Sequence, residues 1–243
     1  MAYGKALVLI PCCSEKQVSA VQFQAEAPLS GIEFLRSGLK AMLKETPALA
    51  NKPENSAGLL NEGAPTTPAY LLYRGKLFRP LKELWRQETV EVLIVSAAYG
   101  LVKPREFIRT YELQMGDRFA NGQSVYRYWE TTGLANLLET YVQNMEVSHI
   151  WSLLPNSYTS QSKTPYHRVF RDYWIRAEKR GKRCFLVKVF TARDRAAGTG
   201  SGAKRGEWLA EVFRVNPEML TEDRPSQTEF PGLSGFRFQY KPC

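Results

Sequence analysis

The stretch Val90 to Arg118, VEVLIVSAAYGLVKPREFIRTYELQMGDR, decides how this chain is read. Val90 to Val95 is β-branched and apolar without alternation, the pattern of a strand covered on both faces of a sheet. The chain then turns polar at once, through Ser96-Ala97-Ala98-Tyr99-Gly100, Pro104-Arg105-Glu106 and Tyr111 to Arg118. In open α/β sheets, ligands bind outside the carboxyl ends of the strands. The loop leaving Val95 is therefore a candidate binding site, with Tyr99, Arg105, Tyr111, Glu112 and Arg118 as its candidate residues. A long, well-packed surface loop with Arg105 and Arg118 in ordinary ion pairs has the same composition, and both readings stay open here.

Outward from this stretch, strands and helices alternate. Ala6 to Ile10 reads as a first strand, and Gly31 to Leu43 as an amphipathic helix with Ile32, Leu35, Leu39 and Met42 on one face. Residues 46–68 are rich in Pro, Asn, Gly and Thr, which predicts a long loop with at most one short helix. Leu77 to Trp85 and Leu134 to Gln143 read as helices, and His149 to Leu154 as a strand. Lys163 to Arg180 is mainly helical and ends at Gly181, Cys184 to Phe190 is a strand, and Glu207 to Phe213 is a helix. Phe236, Phe238 and Tyr240 alternate in a closing strand. With no internal repeat, the expectation is one compact α/β domain with a mixed, mostly buried central sheet flanked by helices. If the first strand and Val90 to Val95 are neighbours, their loops leave the same edge, and Lys16 joins the cleft of Tyr99, Arg105, Tyr111, Glu112 and Arg118.

At 243 residues and 44% hydrophobic content, the chain is long enough to bury a large core as one domain. It holds no apolar run near the ~20 residues a membrane span needs, and Met1 to Lys5 leads straight into a strand rather than a signal peptide. A soluble, cytoplasmic protein is expected. The four cysteines, Cys12, Cys13, Cys184 and Cys243, show no Cys-x-x-Cys spacing, and only His149 and His167 accompany them. Reduced thiols, no metal and no cofactor are expected.

The central stretch resembles the YaaA proteins of bacteria, peroxide stress proteins. The resemblance rests on Ser96-Ala97-Ala98-Tyr99-Gly100-Leu101-Val102-Lys103-Pro104, on Tyr111-Glu112-Leu113-Gln114-Met115-Gly116-Asp117-Arg118, and on Tyr126-Arg127-Tyr128-Trp129. Ala97 stands where the family usually has glycine. Thinner similarity extends to Pro11-Cys12-Cys13-Ser14-Glu15-Lys16, where the family carries a short Ser-Pro-Ala-Lys loop without the cysteine pair. It extends also to Tyr73 to Phe78, Trp151 to Tyr158, and Val187 to Arg195 followed by Arg205-Gly206. The resemblance implies a YaaA-like α/β fold and a DNA-binding protein that protects DNA under peroxide stress. A second, more local resemblance is to the core domain of archaeosine synthase, an enzyme acting on the nitrile of a 7-cyano-7-deazaguanine. Its Pro-Cys-x-x-x-Lys order is similar to Pro11-Cys12 to Lys16, and Val102 to Glu106 is similar to its Val-Pro-Arg-Glu segment. The later serine and histidine positions of that signature are absent here.

Charge is placed unevenly. Between Lys163 and Arg205 there are thirteen Lys or Arg against three acids, and of the totals of 33 and 24 this leaves 20 bases and 21 acids elsewhere. The +9 excess therefore lies in one segment. A one-sided block of charge concentrates polyanions. Tyr166, Phe170, Tyr173 and Trp174 interleave with it, as rings that stack on bases do, although Phe170 and Trp174, four apart, equally suit the buried face of a helix. Double-stranded DNA is the expected partner, with Arg168, Arg171, Arg193, Arg195, Lys204 and Arg205 as its contacts. Gly198 to Arg205 lacks the phosphate-loop order, since Lys204 is followed by Arg205 and not by a hydroxyl residue. A flexible basic loop closing over the polyanion is expected instead.

Two functions of different class follow. One is a DNA-binding protein of the peroxide response. The other is an enzyme that modifies a nitrile-bearing 7-deazaguanine in DNA through Cys12 or Cys13, with Lys16 lowering the thiol's pKa. Adjacent cysteines that merely pack a tight turn are the structural alternative.

Overall fold

Four parallel strands without an alternating pattern form the centre of the molecule, as their continuous apolar runs require. In chain order the strands are β1 (Lys5–Pro11), β2 (Thr67–Pro68), β3 (Val90–Ser96), β4 (Gly100–Val102), β5 (Phe107–Ile108), β6 (Val147–Ser152), β7 (Arg183–Thr191) and β8 (Phe236–Pro242). The helices are α1 (Ile32–Lys44), α2 (Pro47–Ala50), α3 (Ala69–Leu72), α4 (Val125–Thr131), α5 (Leu134–Asn144), α6 (Arg171–Lys179) and α7 (Ser201–Val215). The computed structural model describes residues 5–21, 24–81, 85, 90–155, 166–191, 201–226, 228–233 and 235–242.

One sheet has the order β4-β3-β1-β6-β7-β8, and β2 pairs with β5 in a second, two-stranded one. Strand β1 is parallel to β3 on one side and to β6 on the other, with Leu9 opposite both Leu93 and Ser152. Strands β4 and β8 are antiparallel and occupy the edges. The mixed, helix-flanked sheet of a single α/β domain agrees with the sequence reading. Because the neighbours of β1 come from opposite directions of the winding, its carboxyl end lies at a switch in strand order. A crevice opens at such a point.

Helices cover both faces. Glu91 on β3 accepts a 2.8 Å hydrogen bond from Tyr141 of α5. One register row along, Trp151 of β6 packs against Trp208 of α7 at a ring distance of 5.7 Å. Successive strand residues face opposite ways, so α5 and α7 lie on opposite sides. Helix α7 approaches closely at Gly206, where a Cβ would meet the Leu77 carbonyl oxygen at 2.2 Å.

The central loop is anchored by a buried ion pair. Arg36 of α1 lies 2.5 Å from Glu106 and donates to the carbonyls of Tyr99 (2.9 Å) and Leu101 (3.0 Å), with both charged side chains almost wholly buried. Burial raises the Glu106 pKa, and Arg36 opposes the rise. The Trp129 indole donates to the Ala97 carbonyl at 2.9 Å, and Tyr128 donates to that of Leu35 at 2.5 Å. Gly100 has φ +67° and leaves no room for a Cβ beside Leu134 and Trp129. Much of the density of polar and aromatic residues in this stretch is therefore structural.

Three local expectations are corrected. Residues 46–68 hold two short helical pieces, α2 and a π turn at Asn55–Leu59, because the Asn55 amide bridges the Leu49 and Glu112 carbonyls and stops the chain from running free. Of the helix expected over Leu77 to Trp85, only a 3-10 turn at Arg79–Leu81 lies within the described residues, next to Pro80. Helix α7 begins at Ser201 rather than Glu207, so Lys204 and Arg205 belong to a helix and not to a flexible loop. The packing of α7 on the sheet outweighs the poor helix propensity of Gly202.

Candidate functional site

Five strand and loop segments meet where β1 ends. The backbone of Cys12 extends the ladder, its N–H donating to Val95 at 2.9 Å. The following loop is held against Tyr73 by Gln17 N–H to Leu72 (2.9 Å) and Arg74 N–H to Glu15 (2.9 Å). Into this frame the side chains of distant residues converge. Cys12 Sγ lies 3.1 Å from the hydroxyl of Tyr166, 154 positions away. The Tyr111 hydroxyl is 2.8 Å from that of Tyr73 and 2.9 Å from Ser96 Oγ. Ser96 Oγ in turn accepts the Tyr99 N–H at 3.1 Å. Lys16 places its ammonium 4.1 Å from the centre of the Tyr111 ring, a cation–π contact.

The two thiols differ. Cys13 Sγ donates to the Glu15 carbonyl (3.1 Å) and accepts the Gly75 N–H (3.2 Å), and a Cβ on Gly75 would come within 2.7 Å of Cys13 Cβ. Burial pushes the Cys13 thiol up to about 11, against the opposing effects of the Gly75 N–H and Lys16. The expectation of a thiolate activated by Lys16 is thus corrected for Cys13, where desolvation outweighs the cation. Cys12 is half-buried and free. Burial first, and then the neighbouring Cys12, raises the phenols of Tyr73, Tyr111 and Tyr166 well above the ordinary tyrosine range. These phenols stay protonated at neutral pH and remain hydrogen-bond donors.

Of Lys16, Tyr99, Arg105, Tyr111, Glu112 and Arg118, expected to share one cleft, Lys16 and Tyr111 are in contact, and Cys12 and Cys13 lie on the loop that carries Lys16. Tyr99 touches Tyr111 edge-on, at 5.7 Å between rings, but is buried, with its phenol pushed up to about 12 by burial and its hydroxyl taken by the backbone of Arg109. Arg105 is half-exposed, and its carbonyl accepts the Glu26 N–H. Glu112 faces Lys52 at 3.5 Å, and Arg118 donates to the Gly122 carbonyl at 2.9 Å, so their contacts lie along the loop and away from Lys16. Sequence reasoning missed Ser96, Tyr73 and Tyr166 as site residues. Tyr73 and Tyr166 stood beside glycine and basic residues, but nothing in the linear order tied either to Cys12.

The basic segment does not gather into one cleft among the described residues. Arg176 pairs with Glu139 at 3.0 Å, and Arg180 engages the same carboxylate. Arg183 lies 3.3 Å from Asp223, and Lys204 2.5 Å from Glu207. Arg205 is turned inward, towards the Val187 (3.2 Å) and Leu153 (3.5 Å) carbonyls, and burial lowers its pKa. Arg168 and Arg171 are exposed, and the Arg168 guanidinium lies 5.2 Å from the Tyr126 ring. Arg193 and Arg195 lie outside the described residues. No three His, Cys, Asp or Glu side chains among the described residues converge as a metal ion would require, and no described helix is long and apolar enough to cross a membrane.

A family profile described as Peroxide stress protein YaaA matches residues 11–191, most of the chain, from the last residue of β1 to the end of β7. The chain belongs to the YaaA family. Among its relatives, a UPF0246 protein of Neisseria meningitidis serogroup B is 30% identical over 137 residues, 53% of this chain and 48% of the relative. A UPF0246 protein of Neisseria gonorrhoeae matches to the same extent. One of Dechloromonas aromatica is 44% identical over 41 residues, 16% of each chain. The chain spans about half the length of the Neisseria relatives in these matches. Within the YaaA family, the Cys12-Cys13 pair is a feature that the resemblance had not implied.

Proposed function

We propose that this YaaA-family chain binds double-stranded DNA in the cytoplasm and acts on or protects it during peroxide stress. The observation that carries the reading is the turn His167–Phe170: it presents Arg168 to solvent beside the Tyr126 ring, while Tyr166, two residues earlier, reaches Cys12. An exposed arginine over a half-buried aromatic ring suits a phosphate contact, and Arg171, also exposed, adds a second cation at the start of α6. Free thiols at Cys12, Cys13 and Cys184 suit a reducing compartment. The test is anisotropy of a labelled duplex titrated over a range of salt. Arg168→Glu with Arg171→Glu is expected to weaken binding and to reduce the slope of log K against log salt by about 2. Unchanged affinity and slope in that double variant would place DNA elsewhere or nowhere.

A second reading, modification of a nitrile-bearing 7-deazaguanine in DNA, is favoured by the surroundings of Cys12. The thiol would add across the C≡N bond, forming an S–C bond and delivering its proton to nitrogen. Water would then displace the thiol from the thioimidate to leave an amide. Cys12→Ala is expected to keep duplex affinity, since no charge is removed, and to abolish conversion seen by mass measurement of released nucleosides. Conversion undiminished in Cys12→Ala refutes this second reading alone.

A further inference from the structure

The loop leaving β1 carries two thiols, and one of them meets a phenol hydroxyl. Cys12 Sγ lies 3.1 Å from the Tyr166 hydroxyl, beside the hydrogen-bonded trio of Tyr111, Tyr73 and Ser96. Cys13 is engaged instead by the Glu15 carbonyl and the Gly75 N–H. Lys16 adds a positive charge against the Tyr111 ring. The family to which this chain belongs is described by its response to peroxide stress.

We propose that Cys12 is a peroxide-oxidised thiol, converted by hydrogen peroxide to a sulfenic acid against the hydroxyl of Tyr166. The sulfur attacks one peroxide oxygen: an S–O bond forms, the O–O bond breaks, and sulfur loses two electrons to the peroxide. The departing hydroxide takes up the proton given up by the thiol and leaves as water. Thiol and peroxide thus become sulfenic acid and water, with no further oxidant or reductant required.

The geometry suits each stage. The Tyr166 hydroxyl, 3.1 Å from the sulfur, can donate to charge carried there, and charge-assisted hydrogen bonds are the strong ones. The same hydroxyl stands beside the oxygen that the sulfenic acid gains, next to the buried Tyr73 and Tyr111 rings. Cys13 does not resolve the product: its thiol is held neutral by burial and is occupied by the Glu15 carbonyl. The sulfenic acid therefore persists in place of a Cys12–Cys13 disulfide. The inference needs no DNA and does not depend on duplex binding.

The experiment exposes the full chain to hydrogen peroxide with dimedone present and quantifies labelled peptides by mass spectrometry. Cys12 in the folded chain is expected to label about tenfold faster than the same cysteine in the urea-unfolded chain at the same pH, the effect of one hydrogen bond to a charged sulfur. Tyr166→Phe is expected to remove most of that advantage, with folding checked by circular dichroism. Labelling of Cys12 in the folded chain no faster than in the unfolded one overturns the proposal, and so does a folded Tyr166→Phe variant that oxidises as fast as the parent. The first comparison uses the parent chain alone and decides the matter even where the variant fails to fold.

Discussion

The carboxyl edge of the sheet and the α6–β7 region treat polar residues in opposite ways. At the edge, residues scattered along the chain pair their polar atoms, Cys12 with Tyr166 and Tyr111 with both Tyr73 and Ser96. Along α6 and β7 several cations are neutralised instead, meeting acids such as Glu139 and Asp223 that lie far from them in the chain. A charge block in sequence is thus a weaker guide to a binding surface than the exit point of a central strand. The reason is geometric. Helical and strand periodicities spread neighbouring side chains around an element, whereas parallel strands deliver all their exit loops to the same edge.

The comparison is broken most severely by removing what holds the central loop at that edge. Glu106→Ala leaves the Arg36 guanidinium buried with only the exposed Glu33 beside it, at 2.7 Å. A loss of about 3 kcal/mol of unfolding free energy is expected in urea melts, because an uncompensated buried charge is costly. A loss under about 1 kcal/mol would mean that the loop does not depend on this pair. The α6 region should respond far less. Glu139→Gln releases Arg176 and Arg180, both partly exposed, and is expected to change stability by no more than about 1 kcal/mol while tightening duplex binding at low salt. Weaker duplex binding in that variant would remove the α6 cations from any DNA-facing surface.

The smallest effect is a pH dependence on the far side of the sheet. His149 is buried, stacked on Phe185 at 6.5 Å, and near Asp223, at 3.3 Å. Burial lowers its pKa, and Asp223 only partly opposes this. A depressed folded-state pKa means that the unfolded chain takes up the proton first as pH falls. The stabilising contribution is present above the unfolded value of about 6.5 and is lost as pH falls through the folded one. Melting temperature should decline on acidification in that window, and His149→Phe should flatten the decline. An unchanged profile in His149→Phe would assign the acid sensitivity to other groups.

How much was legible beforehand differs between fold and site for one physical reason. The strands β1, β3, β6 and β7 and the helices α1 and α5 announce themselves through local periodicity, because burying an apolar face needs only neighbours at fixed spacing. The first turns of helix α7, before Glu207, did not, since they carry Gly202 and Gly206 and pack against Leu77 and the sheet. The motif Tyr126-Arg127-Tyr128-Trp129 was visible in sequence, but its role was not: Tyr128 and Trp129 bond backbone carbonyls in α1 and the central loop. Glu112 and Arg118 looked equivalent to Tyr111 because all three share a loop. In that loop, alternation turns Tyr111 inward and leaves Glu112 at the surface.

By itself, then, the order of residues determined the family, the α/β architecture and the edge from which Cys12 and Lys16 leave the sheet, all of which depend on patterns within a few residues of one another. Only the tertiary structure decided that Cys12 meets the Tyr166 hydroxyl while Cys13 is held by Glu15 and Gly75, and that several described cations of the basic segment are paired with acids. Those outcomes depend on contacts between positions up to 154 residues apart. Hydrogen bonds between such distant side chains, and the desolvation that sets a thiol's protonation, exist only once the chain has closed around them.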